Sequence, residues 1–127
     1  MADLPQAIYR HRLRHNVSMD VQLLTIPGCP HAGPALALFR AALDLEGVKD
    51  PVTVRELGTE AEAAALAFHG SPTFSIEGAD LFPTNAMPAI ACRVYPTPAG
   101  VSGQPTSHAL RQAIRAALPI TGSVNLT

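Results

Sequence analysis

The stretch VQLLTIPGCPHA, Val21 to Ala32, decides the fold. Val21, Leu23, Leu24 and Ile26 make a short apolar run that Pro27-Gly28 ends, the pattern of a buried strand running into a loop. Beyond it, Ala35 to Glu46 sets Leu36, Phe39 and Leu43 at helical spacing with Arg40 and Asp44 opposite. Gly47 stands where a helix C-cap is expected. Cys29 therefore falls between a strand and a helix, where unpaired N–H groups and the helix dipole favour a thiolate, the form that attacks disulfides, peroxides and soft metals. Pro34 leaves two registers open: a helix that starts at Pro30 and kinks at Pro34, or one that starts at Pro34 and leaves Cys29 on a loop.

Outward from this unit, Pro51 to Leu57 alternates Val52, Val54 and Leu57 with Thr53, Arg55 and Glu56, which predicts a second strand. Thr59 followed by Glu62 is a capping box that opens an alanine-rich helix through Phe68. Gly70 to Ile76 reads as a third strand begun at a Ser71–Pro72 bond, and Glu77 to Asp80 as the turn that reverses it. Ala89 to Tyr95 then supplies a returning strand, with Ile90, Cys92 and Val94 on one face, Arg93 and Tyr95 on the other, and Cys92 in the core. Pro96 to Pro105 is a loop. Thr106 or Ser107 caps a last helix whose Leu110, Ile114, Ala117 and Leu118 share a face, and Pro119 and Gly122 end it. The order is β-α-β-α-β-β-α.

A chain of 127 residues that is 47% hydrophobic supports about one domain with a real core. With 15% charged residues and a net charge of -1, it lacks the field that would gather nucleic acid or an anionic membrane, so neither is expected as a partner. No apolar run approaches the roughly 18 residues of a membrane span, and no secretory h-region opens the chain, which reads as cytoplasmic. Residues 1–18 look like an appended, loosely docked arm, Arg10, Arg12 and Arg14 against Asp3 alone; 19–120 form the domain and 121–127 a tail. Cys29 and Cys92, the only two cysteines, are too few for a disulfide scaffold or a four-cysteine zinc site. Cys29, His31 and His69 have no recognised ligand spacing. No phosphate-cradling glycine loop or Gly-x-Ser-x-Gly elbow is present, so neither metal nor cofactor is read.

The order of elements, Gly28-Cys29-Pro30-His31-Ala32 after the first strand and Gly70-Ser71-Pro72-Thr73 before the third together resemble the thioredoxin-like superfamily over about residues 20 to 118. The resemblance implies an α/β fold with a four-stranded mixed sheet in order 2-1-3-4 and helices on both faces. It also implies a cis Ser71–Pro72 bond facing Cys29 across a substrate groove. Cys29 falls on the first cysteine of the family's Cys-x-x-Cys and Ala32 on the second, which leaves monothiol chemistry. The Gly-Cys-Pro opening, the Gly-Ser-Pro-Thr-Phe entry, Ala91 to Tyr95 and the Ser102-Gly103-Gln104-Pro105 lead-in are similar to small bacterial proteins described as alkylmercury lyase-like.

The functional expectation is monothiol redox or thiol transfer at Cys29, an oxidoreductase if catalytic. A protein or small molecule bearing a thiol or disulfide is the partner. His31, Ser71, Pro72 and Thr73 would bind substrate, with the Ser71 N–H and C=O free to pair with an extended chain. An imidazole at His31 or His69 would favour the thiolate. The alternatives are a non-catalytic binding or adaptor protein, and mercury-type thiol chemistry using Cys29 with Cys92.

Overall fold

The computed structural model describes residues 18–118. The arm before them, the tail after them and the helix-ending roles of Pro119 and Gly122 lie outside the described residues. β1 (Val21–Thr25) lies between β2 (Val52–Glu56), its parallel neighbour, and β3 (Thr73–Ile76), its antiparallel one. A two-residue β4 (Ala79–Asp80) completes a mixed sheet in order 2-1-3-4, as the sequence leads one to expect. No described helix is long and apolar enough to cross a membrane.

Period-two alternation gives the sheet two unlike faces. Val21 and Leu23, with their cross-strand partners Ile76 and Phe74, face α1 (Ala32–Leu45) and α3 (Ser107–Ala117). Phe39 meets Phe74 edge-on at 5.1 Å, and Tyr95 meets Phe74 at 5.9 Å and Phe82 at 5.2 Å, geometries that add to simple burial. Leu24 turns the other way, against Leu57, Ala63 and Phe68 beneath the short α2 (Glu60–Ala65). Helices thus cover both faces, unequally.

Local chemistry sets the ends of these elements. α1 begins at Ala32, between the two registers the sequence leaves open. Pro34 is its third residue, where an N–H would have no partner within the helix, so proline neither kinks nor delays it. At the far end Gly47 takes φ +80°, and Val48 N–H reaches Leu43 C=O at 2.9 Å, a Schellman closure. The capping box of α2 forms as expected: Glu62 N–H donates to Thr59 Oγ1 at 3.1 Å, and Thr59 N–H to Glu62 Oε1 at 3.2 Å. Thr106 caps α3, its Oγ1 accepting from Ala109 N–H at 3.0 Å. Glu46 at the end of α1 accepts from Arg115 at 2.7 Å and Arg111 at 2.8 Å, tying α1 to α3. These two guanidiniums, Arg115 foremost, hold its carboxyl down at about 2.

The chain after β3 departs from expectation. Only Glu77-Gly78 forms the turn, both at positive φ as a two-residue hairpin requires, and Ala79–Asp80 is already the fourth strand. Ala89 to Tyr95 is therefore not in the sheet. It crosses the start of β3 in a single parallel bridge between Ser71 and Cys92. The chain then enters a hairpin of β5 (Tyr95–Thr97) and β6 (Gly100–Ser102), within the stretch expected to be loop. The expected alternation is present with its faces exchanged. Tyr95 is buried and Arg93 nearly so, whereas Cys92 and Val94 are exposed, so Cys92 is not a core residue. An aromatic ring and a guanidinium paired with Asp80, Thr73 and the Phe82 carbonyl bury more and satisfy more than a thiol and a valine can.

Candidate functional site

Cys29 comes off β1 through two successive turns. Its N–H donates to Ile26 C=O at 3.2 Å, with Pro27 and Gly28 (φ +76°) in the central positions that favour proline and require glycine. Its own C=O accepts from Ala32 N–H at 3.2 Å. The thiol is half-buried and free. The start of α1 offers it less than expected. Ala32 N–H is spent on that turn, Pro34 has none, and Ala35 N–H bonds to His31 C=O at 2.9 Å, leaving Gly33 as the N–H of the first turn open to an anion.

His31 is the N-cap residue of α1, yet its side chain caps nothing. Its ring lies over Gly103, where any Cβ would collide with it. His69 goes elsewhere. It lines a cleft of about 270 Å³ on the Leu24 face with Thr73, Ser75 and Asp80, its Nδ1 buried without a hydrogen-bond partner. The two imidazoles therefore serve different regions. Among the described residues no three of His, Cys, Asp and Glu gather as a metal site would need.

The Ser71–Pro72 bond is cis, as the resemblance implies. Ser71 is fully buried, and its Oγ accepts from Ile26 N–H at 3.2 Å, which fastens this loop to the one that carries Cys29. Its backbone groups are not free, contrary to expectation. Ser71 N–H donates to Ala91 C=O at 2.8 Å, and its C=O accepts from Arg93 N–H at 2.9 Å. The chain's own Ala91–Arg93 segment fills the edge where an outside strand was expected. Pro72 C=O accepts from the Tyr95 hydroxyl, and Thr73 Oγ1 donates to Gly70 C=O at 2.6 Å, so these groups too are engaged within the protein.

Arg93 organises this corner, and the sequence reading gave it no role. Its Nη1 contacts Asp80 at 2.8 Å and Thr73 Oγ1 at 3.3 Å, its Nη2 donates to Phe82 C=O, and its guanidinium lies 4.8 Å from the Tyr95 ring centre. Gly70 makes room for it: at φ +117° a Cβ would come within 2.8 Å of Arg93 Cβ. The available sequence signals were an arginine inside an otherwise apolar run and a glycine just before Ser71-Pro72. For Gly103 the signal was its place in the Ser-Gly-Gln-Pro lead-in.

Fold and site define a small α/β domain whose mixed sheet resembles the thioredoxin-like topology, with one half-buried and one exposed thiol near a cis-proline loop. Comparison of the chain with protein families, curated proteins and solved structures finds no match.

Proposed function

We propose that this protein carries out thiol–disulfide exchange or thiol transfer through Cys29, acting on a protein or small molecule that bears a thiol or disulfide. The observation that carries the reading is the hydrogen bond from Ile26 N–H to Ser71 Oγ: it couples the Cys29 loop directly to the cis-proline loop and leaves the thiol partly open to solvent. A nucleophilic thiol needs access and a fixed approach, and this arrangement supplies both. The adaptor alternative loses support because the Ser71 edge, on which an extended peptide would dock, is already paired. The mercury-type alternative would use Cys29 with Cys92 and needs an acidic proton donor beside them as well. Exchange chemistry needs the thiols alone. His31, Ser71, Pro72 and Thr73 act in this reading chiefly by shaping the walls around Cys29, since the polar groups of the last three are internally bonded.

The test is glutathione-dependent reduction of hydroxyethyl disulfide by the full chain and by Cys29→Ser. Turnover in the wild type and its loss in the variant, with circular dichroism unchanged, is the expected result. Absence of turnover in both would transfer the assignment to a binding protein, and equal turnover in both would remove Cys29 as the reacting thiol.

A further inference from the structure

Accepting Cys29 as the attacking thiol, we infer that Cys92 is its resolving thiol, held for that purpose on the opposite side of Ser71. The argument rests on how Ser71 is bonded. On one side its Oγ receives Ile26 N–H, and the β1–β3 register, Leu24 opposite Thr73, continues naturally to Ile26 opposite Ser71. On the other side its N–H and C=O clasp Ala91 and Arg93, making Cys92 the bridge partner. Neighbouring strands lie about 4.8 Å apart, so the backbones of Ile26 and Cys92 are separated by about 10 Å across one residue. Cys29 is returned toward Ile26 by the Pro27-Gly28 turn, whose ends lie within about 7 Å of each other.

Two further observations fit a working thiol better than a structural one. Cys92 is exposed, whereas its sequence neighbours Arg93 and Tyr95 are drawn inward and anchor the segment by the Asp80 ion pair and the aromatic cluster. Partners in a β-bridge project their side chains to the same face, so Cys92 leaves the bridge on the face of the Ser71 hydroxyl, which itself contacts the end of the Cys29 loop. That loop carries exposed Pro27, Gly28 and Pro30, so solvent rather than packing surrounds the turn that would carry Cys29 toward Cys92 to bring the two α-carbons within disulfide range.

The chemistry balances without a further reagent. The Cys29 thiolate attacks one sulfur of a disulfide RSSR, forming Cys29–S–S–R and expelling RS⁻. The Cys92 thiolate attacks the Cys29 sulfur, forming the Cys29–Cys92 disulfide and expelling the second RS⁻. RSSR gains two electrons, the two cysteines lose them, and the two thiol protons end on two RSH. The dithiol lost when Ala32 stands in a Cys-x-x-Cys pattern is thereby replaced from a distant part of the chain.

The test treats the reduced full-length protein with glutathione disulfide and maps the products by mass spectrometry without reductant. In the wild type the end product should be lighter by two hydrogens and yield a linked Cys29–Cys92 peptide. Cys92→Ser and Cys92→Ala should both stop at a Cys29–glutathione adduct. A wild type that stops at the same persistent adduct overturns the role of Cys92 and leaves Cys29 as a monothiol. A link found only between two copies overturns it as well. Absence of any modification at Cys29 defeats the reading of Cys29 itself.

Discussion

The Leu23 face of the sheet and the corner around Ser71 are held together by opposite means. On the first, Val21, Leu23, Phe39, Phe74, Ile76, Leu110 and Ile114 exclude water without a polar group among their side chains. At the second, Arg93 bonds Asp80, Thr73 Oγ1 and the Ser71 carbonyl, while Ser71 Oγ accepts from Ile26 N–H and the Tyr95 hydroxyl donates to Pro72 C=O, so these polar side chains are all partnered. Apolar packing tolerates many partners of suitable volume, whereas a buried polar set fails when one member is missing. The protein therefore keeps its scaffold in the forgiving material and its candidate chemistry beside the exacting one.

Truncating the forgiving side should still produce the largest loss, because Phe74 contacts three rings. Phe74→Ala is expected to cost about 3 to 5 kcal/mol, read as a shift in the urea midpoint. At the polar corner Arg93→Ala should cost about 3 kcal/mol by leaving Phe82 C=O without its donor and the Asp80 carboxylate without its cation, with only Phe82 N–H still donating to it. Combining it with Asp80→Ala should cost less than the sum of the single changes, and additivity would show that the corner is not one unit.

A third group, Glu46 with Arg115 and Arg111, sharpens the comparison at the surface. The folded carboxyl titrates at about 2 against an ordinary 4.5, so its contribution is complete above 4.5 and is lost as pH falls through about 2. Between those limits the urea midpoint of the wild type should fall more steeply with decreasing pH than that of Glu46→Gln. Parallel curves would mean that the ion pairs are too well solvated to matter. The smallest effect belongs to Cys92→Ser. For an exposed thiol outside the core we expect a change within about 0.5 kcal/mol, and a loss above 1 kcal/mol would place that side chain among packed neighbours after all.

The two regions were not equally readable from sequence. β1, α1, β2 and α2 announce themselves through period, caps and turn residues, all settled within a few positions, whereas the 2-1-3-4 order comes from the resemblance, and its fourth strand is Ala79–Asp80 rather than the expected Ala89 to Tyr95. Ala89 to Tyr95 misleads because Ile90, Cys92 and Val94 imitate a core face. What buries Arg93 instead is Asp80, 13 residues earlier, together with the Phe82 carbonyl, and no local pattern contains them. The same holds for Gly103, whose missing side chain makes sense only once His31 from the other end of the domain lies on it. Cys29 was legible as a loop thiol after a strand. The pairing of the Ser71 backbone with residues about 20 positions downstream was not.

The Ser71–Cys92 bridge also sets an order of events in time. It closes a long segment by one pair of backbone bonds outside both sheets, while β1 and β3 are zipped over four successive residue pairs. A single bridge has no neighbouring ladder to hold it shut, so its two backbone bonds break at lower free energy than the β1–β3 ladder does, while Arg93 and Tyr95 stay anchored by their side chains. The Ser71 and Arg93 amides then exchange with solvent deuterium through a partial opening that leaves the Leu23 face intact, and each such opening momentarily bares the polar edge beside Cys29.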